Sequence, residues 1–332
     1  MVGIQKINMN ILITGAAGFI GFHVSKNLLK NKNYRVIGLD NLNDYYDPKL
    51  KRDRLKVLKT NSKNNFIFYR KDLNNIQELQ KIFKKHKFKY VLHLAAQAGV
   101  RYSLKNPDSY FNSNILGFYN MLKCSTKYKV KHVIIASSSS VYGENSNLTK
   151  ETSNTDNPLQ FYAATKKTNE VIAHTFANIY KTPISAIRFF TVYGPWGRPD
   201  MSLYNFTKNI IKNKKINLYN KGRHYRDFTY IDDIVNGVVS TIKKIPNKKK
   251  IPYEVYNLGR GKPVDLRKFL KELEKQLKKK AKVVFLTKQK GDVYKTHASI
   301  HKAKKNLKFN PKTNYKEGIS KFLEWFHSYY QK

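Results

Sequence analysis

Up to residue 193 the chain alternates short β-branched runs with amphipathic stretches. The runs at 11–14, 35–39, 66–69, 90–94, 132–136 and 184–189 are short and rich in Ile, Val, Phe and Tyr, which favour a buried pleated surface. Between them, 19–30, 76–86, 109–128 and 160–180 carry apolar residues at helical spacing. Strand–helix alternation predicts an α/β fold, a doubly wound parallel sheet that takes its ligands at the carboxyl ends of the strands. Beyond 193 the pattern loosens. Residues 194–199, Gly-Pro-Trp-Gly-Arg-Pro, predict turns, and 231–242 and 263–277 are the clearest later helices. We expect a cofactor-binding sheet domain over 8–192 with returning segments near 225–260. A smaller, interleaved C-terminal domain over 193–332 would cap the sheet's carboxyl edge and bind the substrate. Residues 1–8 read as a loose extension.

Composition narrows the class. In 332 residues, 41% hydrophobic and 13% aromatic content supplies a sizeable core. The one cysteine, Cys124, excludes an intramolecular disulfide framework and a multi-thiolate zinc site. The histidines show no metal-ligand spacing, and we expect no metal. No apolar run approaches the roughly 18–20 residues that span a bilayer. These features predict a protein of the reducing cytoplasm, without a membrane partner. The net charge of +42 is mostly lysine and is spread along the chain, with only short runs at 248–250 and 278–280. It reads as a solvated surface rather than a nucleic-acid site, and it would also draw in a dianionic substrate.

Candidate chemistry begins at the first strand–helix junction, Thr14-Gly15-Ala16-Ala17-Gly18-Phe19-Ile20-Gly21. Glycines there permit a tight turn, let backbone N–H groups approach a pyrophosphate and allow close helix–strand packing. Asp40 closes the second strand, where a carboxylate accepts adenosine ribose hydroxyls and repels a 2′-phosphate. That favours NAD over NADP. Asn41 after the second strand, Asp72 and Leu73 after the third, and Leu94-Ala95-Ala96 after the fourth would border the same cofactor. Tyr162 and Lys166 stand four apart on one helical face. An ammonium beside a phenol lowers its pKa from about 10, which makes tyrosine a usable general base. The serines at 137–140 follow the fifth strand, where hydroxyls can hydrogen-bond an alcohol undergoing hydride transfer.

Together the Gly15/Gly18/Gly21 turn, Ser138, Tyr162 and Lys166 resemble the extended short-chain dehydrogenase/reductase family of nucleotide-sugar epimerases and dehydratases, with its Rossmann-type sheet. The resemblance runs through nearly the whole chain, with later family motifs at 189–195 and 226–233. Three segments, 43–48, 161–167 and 194–201, are similar to UDP-glucuronate 4-epimerases. The resemblance implies a tightly held NAD that is reduced and reoxidised within one turnover. Tyr162 would be the base at the sugar's 4-hydroxyl, Ser138 would bond the same oxygen, and Lys166 would bind the nicotinamide ribose and tune Tyr162. It places Ser139, Ser140, Thr191 and Arg198 around the hexuronate carboxylate, Arg226 at the UDP diphosphate and Asp292 at the UDP ribose. Gln289 stands where the UDP-galactose epimerases often carry an arginine. The family's 4,6-dehydratases have an Asp-Glu pair where this chain has Ser139 and Ser140, which excludes their elimination chemistry. The resemblance further implies a homodimer through the 109–128 and 160–180 helices. Two neighbouring activities remain alternatives: epimerisation of UDP-glucose or UDP-N-acetylglucosamine, and decarboxylation of UDP-glucuronate. A non-catalytic NAD- or polyanion-binding protein would be the reading from another class.

Overall fold

The computed structural model describes residues 9–62, 64–145, 147–289 and 291–330. The expected extension at 1–8 lies outside them. Strands β1 (Met9–Thr14), β2 (Tyr34–Asp40), β3 (Phe66–Arg70), β4 (Tyr90–His93), β5 (His132–Ser138) and β6 (Ile184–Phe189) fall where the β-branched runs predict them. They alternate with helices α1 (Phe19–Leu28), α2 (Pro48–Thr60), α3 (Ile76–His86), α4 (Pro107–Tyr110), α5 (Gly117–Lys127) and α6 (Phe161–Tyr180). The second half adds β7 (Thr191–Tyr193), α7 (Ser202–Ile211), β8 (Lys215–Tyr219), β9 (Tyr225–Arg226), β10 (Phe228–Tyr230), α8 (Ile231–Lys243) and β11 (Tyr253–Leu258). It ends with β12 (Val264–Asp265), α9 (Leu266–Leu277), β13 (Lys282–Leu286), α10 (His301–Leu307) and α11 (Tyr315–Tyr330).

The central sheet has seven parallel strands in the order β11-β6-β5-β4-β1-β2-β3. Both faces are covered. Alternate residues of β1 divide between them: Ile11 and Ile13 pack toward α1, α2 and α8, while Leu12 packs toward α3, α5 and α6. This two-sided burial is why the strands read as continuous apolar runs. Strand β11 brings the chain back to the sheet edge from the second half. The remaining short strands pair among themselves, as β7 with β10, β8 with β13 and β9 with β12.

Two predicted helices differ in detail. The stretch 109–128 is interrupted by a π-helical segment, Phe111–Leu116. There the Asn114 carboxamide bonds both backbone groups of Gln97, accepting from its N–H at 2.8 Å and donating to its carbonyl at 3.1 Å. The stretch 263–277 begins as a strand, because Asp265 caps α9 by accepting from the N–H groups of Arg267 and Lys268. The loops after β1, β4, β5 and β6 all open at one edge of the sheet.

Candidate active site

A cleft of about 970 Å³ runs along that edge, and every site residue read from the sequence lines it. At one end the turn after β1 is packed backbone to backbone. Gly15 has φ +70° and donates its N–H to the Leu39 carbonyl at 2.7 Å. A Cβ on Gly15 would stand 2.7–2.8 Å from the backbone of Leu94 and Ala95, and one on Gly21 would stand 2.1 Å from the Gly15 carbonyl oxygen. The Asp40 carboxylate accepts from the N–H groups of Ala17 at 3.2 Å and Leu42 at 2.9 Å. Burial pushes its pKa up, opposed by those N–H groups and by the buried Lys51 ammonium. Asn41 donates to Asp72 at 2.9 Å, tying the ends of β2 and β3 together. The close backbone packing, the start of α1 and the strand-end carboxylate could hold a dinucleotide. Gly15, Gly18, Phe19, Ile20 and Gly21 would face its pyrophosphate.

In the middle, β5 meets α6. Ser138 caps the short turn after β5, accepting from the Ser140 N–H at 3.2 Å and donating to the Ser140 hydroxyl at 3.1 Å. Burial raises the Tyr162 phenol above its ordinary value, while the nearby Ser138 hydroxyl and the Arg198 charge pull it back. Lys166 donates to the Ala136 carbonyl at 2.8 Å, and burial pushes its pKa down to about 8 against the opposing charge of Glu170. Sequence reasoning gives Lys166 the tuning of Tyr162; here the groups that counter the phenol's desolvation are Ser138 and Arg198. Behind them lies a buried chain the sequence reading missed. Ser137 donates to Glu170 at 2.5 Å, Glu170 pairs with Arg188, and Arg188 donates to the Tyr142 hydroxyl at 3.0 Å. Spacing could have found Glu170, which stands one further helical turn along the Tyr162–Lys166 face.

Arg198 sits on the irregular loop after β7. Asp200 engages it through Nε at 3.0 Å and Nη2 at 2.5 Å, and the Tyr45 hydroxyl donates to the same carboxylate at 3.1 Å. The loop is pinned from below. Fully buried Arg54 donates to the carbonyls of Ala17 at 2.8 Å and Trp196 at 2.5 Å, and to the Tyr46 hydroxyl at 2.7 Å. Trp196 has φ +60°, a costly conformation for a bulky residue, and is wedged between Phe22 and Trp325. The Gly-rich turn and the Arg198 loop are therefore joined through one guanidinium.

At the far end Arg226 donates to the carbonyls of Tyr225 at 3.0 Å and Tyr294 at 3.1 Å, and burial lowers its pKa. Asp292 pairs with Arg101 at 3.2 Å, and that guanidinium lies 4.5 Å from the centre of the Tyr219 ring. Arg101 brings a cation beside Asp292 although Gln289 holds the expected arginine position. No local pattern announced it, because the two residues are 191 positions apart. Asp227, within the 226–233 motif, is fully buried and accepts from the N–H groups of Arg260, Gly261 and Ala298, so it works as a structural staple. Among the described residues, no three His, Cys, Asp or Glu side chains gather as a metal site, and no helix is long and apolar enough to cross a membrane.

Known proteins resemble this chain along nearly its whole length. A family model described as the NAD dependent epimerase/dehydratase family matches residues 11–259. The chain is 47% identical to Protein CapI of Staphylococcus aureus over 98% of this chain and 100% of that one. It is 46% identical to UDP-glucuronate 4-epimerase 4 of Arabidopsis thaliana over 97% of this chain and 76% of that one. Among solved structures, the UDP-glucuronic acid 4-epimerase from Bacillus cereus, in complex with UDP-glucuronic acid and NAD, superposes with a TM-score of 0.91. The identity there is 35%, over 97% of this chain and 100% of that one.

Proposed function

The chain belongs to the NAD dependent epimerase/dehydratase family, and on that premise we propose that it is a UDP-glucuronate 4-epimerase, interconverting UDP-glucuronate and UDP-galacturonate by transient oxidation at carbon 4. One observation carries the reading: Tyr162, Ser138 and Arg198 share a cleft with the Gly-rich turn and Asp40. The similarity to named UDP-glucuronate 4-epimerases supports it.

In this reading Gly15, Gly18, Phe19, Ile20, Gly21, Asp40, Asn41, Asp72, Leu73 and 94–96 would hold NAD, which would supply a reversible hydride acceptor at carbon 4. Tyr162 takes the proton of the 4-hydroxyl and later restores it, while Ser138 holds the same oxygen. Lys166 binds the nicotinamide ribose, and the Ser138 hydroxyl and the Arg198 charge favour the phenolate. The 4-keto sugar turns over between the two hydride transfers, which inverts the centre. Ser139, Ser140, Thr191 and Arg198 hold the hexuronate carboxylate. A β-keto acid loses carbon dioxide when the breaking bond aligns with the carbonyl π system, so these donors must keep that bond out of alignment. Arg226 and Asp292 take the UDP diphosphate and ribose.

The test is to incubate purified protein with UDP-glucuronate and separate the sugar nucleotides. UDP-galacturonate is expected. Turnover of UDP-glucose or UDP-N-acetylglucosamine alone, or a pentose as the main product, would overturn the assignment. Arg198→Ala should lower epimerisation at least tenfold or release pentose.

We also assign a homodimer to the α5–α6 face, where Phe111, Tyr119, Val171 and Ile179 are exposed at 42–62%. Light scattering at micromolar concentration should read a dimer, and a monomer would refute it. The buried lone thiol Cys124, pushed up to about 11, suits a cytoplasmic protein. We assign the +42 charge to solubility rather than to a nucleic-acid partner. Tight DNA binding that weakens steeply with salt would refute that.

A further inference from the structure

We propose that Asp200 is a positioning residue that sets which edge of Arg198 faces the substrate acid, with Tyr45 holding Asp200 in place. The proposal rests on the reading of Arg198 as the carboxylate clamp. A guanidinium offers five N–H donors in a rigid planar fork, with one edge formed by Nε and one Nη and another by the two Nη atoms. Asp200 occupies the first, with Oδ1 on Nε and Oδ2 on Nη2. Neither bond to Asp200 uses Nη1, so the two-Nη edge stays available to the cleft that Arg198 lines. A substrate carboxylate can take that edge bidentately, in a plane that Asp200 has already fixed.

The support for Asp200 is itself built. Its oxygen accepts from Tyr45 at 3.1 Å, and the Tyr45 ring packs against Tyr102 at 4.9 Å. Burial and Asp200 push the Tyr45 phenol up to about 12, so it stays a donor through the working range. The Arg198 charge holds Asp200 below its ordinary pKa, so the pair stays ionic. The pair carries no net charge, and the hexuronate acid is then recognised by the direction of two N–H groups rather than by unbalanced positive charge.

Direction matters because the alternative reaction needs only rotation. If the acid turns, the bond between carbons 5 and 6 of the 4-keto sugar breaks and its electron pair forms an enolate. Carbon dioxide leaves, and carbon 5 takes a proton. The hydride removed from carbon 4 then returns, and a UDP-pentose is released. Asp200→Asn keeps the size but loses one of the two acceptors and the charge, so Arg198 can swing.

The experiment measures product partition and kinetics for Asp200→Asn, Tyr45→Phe and Arg198→Ala, with melting temperature and the kcat-against-KM split. Asp200→Asn should lower epimerisation kcat tenfold or more and raise the pentose fraction at least fivefold. KM should stay unchanged or fall, because Arg198 becomes a free cation. Tyr45→Phe should move partition the same way by a few-fold, and it tests the idea if Asp200→Asn does not fold. A merely structural Asp200 would lower the melting temperature without changing partition. Pentose from Arg198→Ala but none from Asp200→Asn or Tyr45→Phe overturns the role of Asp200 alone. An Arg198→Ala enzyme indistinguishable from the parent overturns the clamp itself, and this proposal with it.

Discussion

Glu170 receives Arg188 through two parallel hydrogen bonds, Nε to Oε1 at 2.9 Å and Nη2 to Oε2 at 2.7 Å, directly behind the strand end that presents Ser138. Both side chains are at least 93% buried. Replacing a buried ion pair as a unit can be nearly neutral, whereas removing one partner strands a charge and costs about 3–5 kcal/mol. Glu170→Gln should therefore destabilise the fold by roughly that amount, as read by urea unfolding. The damage should reach the site, because the Glu170 charge helps keep Lys166 protonated and its Oε1 holds Ser137. The Glu170→Gln, Arg188→Met double variant should recover part of the stability. Two single losses that simply add would show that the pair is not coupled.

Lys166 gives the enzyme a pH signature in which stability and activity move oppositely. The fold holds its pKa at about 8 against an ordinary 10.5. Between those values the unfolded chain binds the proton more tightly than the native chain, so this group's contribution to stability rises with pH. Over the same window the ammonium is lost from the site. Epimerase rate should fall above pH 8 while the melting temperature gains from Lys166, and Lys166→Met should remove that gain. A rate flat to pH 10 would contradict the assignment.

Strands β1 to β6 were legible because burial on both faces removes the alternation that makes half-buried strands ambiguous; β11, which completes the sheet, was foreseen only as a returning segment near 225–260. The site was legible where its parts are local: the glycine turn, Asp40 at a strand end, and Tyr162 with Lys166 one helical turn apart. What stayed hidden depends on contacts between distant segments. Helix α2 was missed because charged side chains dominate it, although Asp47 and Pro48 form an N-terminal cap that a stricter reading could have used. The π-helical segment follows from the bonding of Asn114 to Gln97, and the Arg101–Asp292 and Arg54–Trp196 contacts join residues far apart in sequence. Such pairings leave no periodic trace.

Two buried histidines predict acid sensitivity. His93 bonds the Thr14 hydroxyl at 2.9 Å, and desolvation pushes its pKa down to about 3; His132 bonds the Ser185 hydroxyl at 2.9 Å and lies at about 4. Both are neutral in the fold, while the unfolded chain protonates near 6.5. Their contribution is whole above pH 6.5 and is lost as the pH falls toward 4, at about 1.4 kcal/mol per unit for each group. The melting temperature should hold level between pH 6.5 and 8 and drop below pH 6.5. His132→Gln should shallow that slope; an unchanged slope would rule out His132 as a source.

Gly21 faces backbone that a side chain could not push aside. A Cβ there would meet the Gly15 carbonyl oxygen at 2.1 Å and the Gly15 carbonyl carbon at 2.8 Å. Neither atom can yield, because Gly15 is held from the other side by Leu39 and lies against the backbone of Leu94 and Ala95. Relief requires the start of α1 to move away from the turn, which opens the cradle and pulls Ala17 from Arg54 and Asp40. Gly21→Ala should cost at least about 2 kcal/mol by analogy with overpacked cores and lose bound NAD before it loses the fold. The check is the dinucleotide content of the purified variant, read by acid release and absorbance, beside its far-ultraviolet circular dichroism. A folded Gly21→Ala protein that retains a full complement of NAD would show that the helix start tolerates the shift, and that the close approach of Gly21 to Gly15 is not what shapes the cradle.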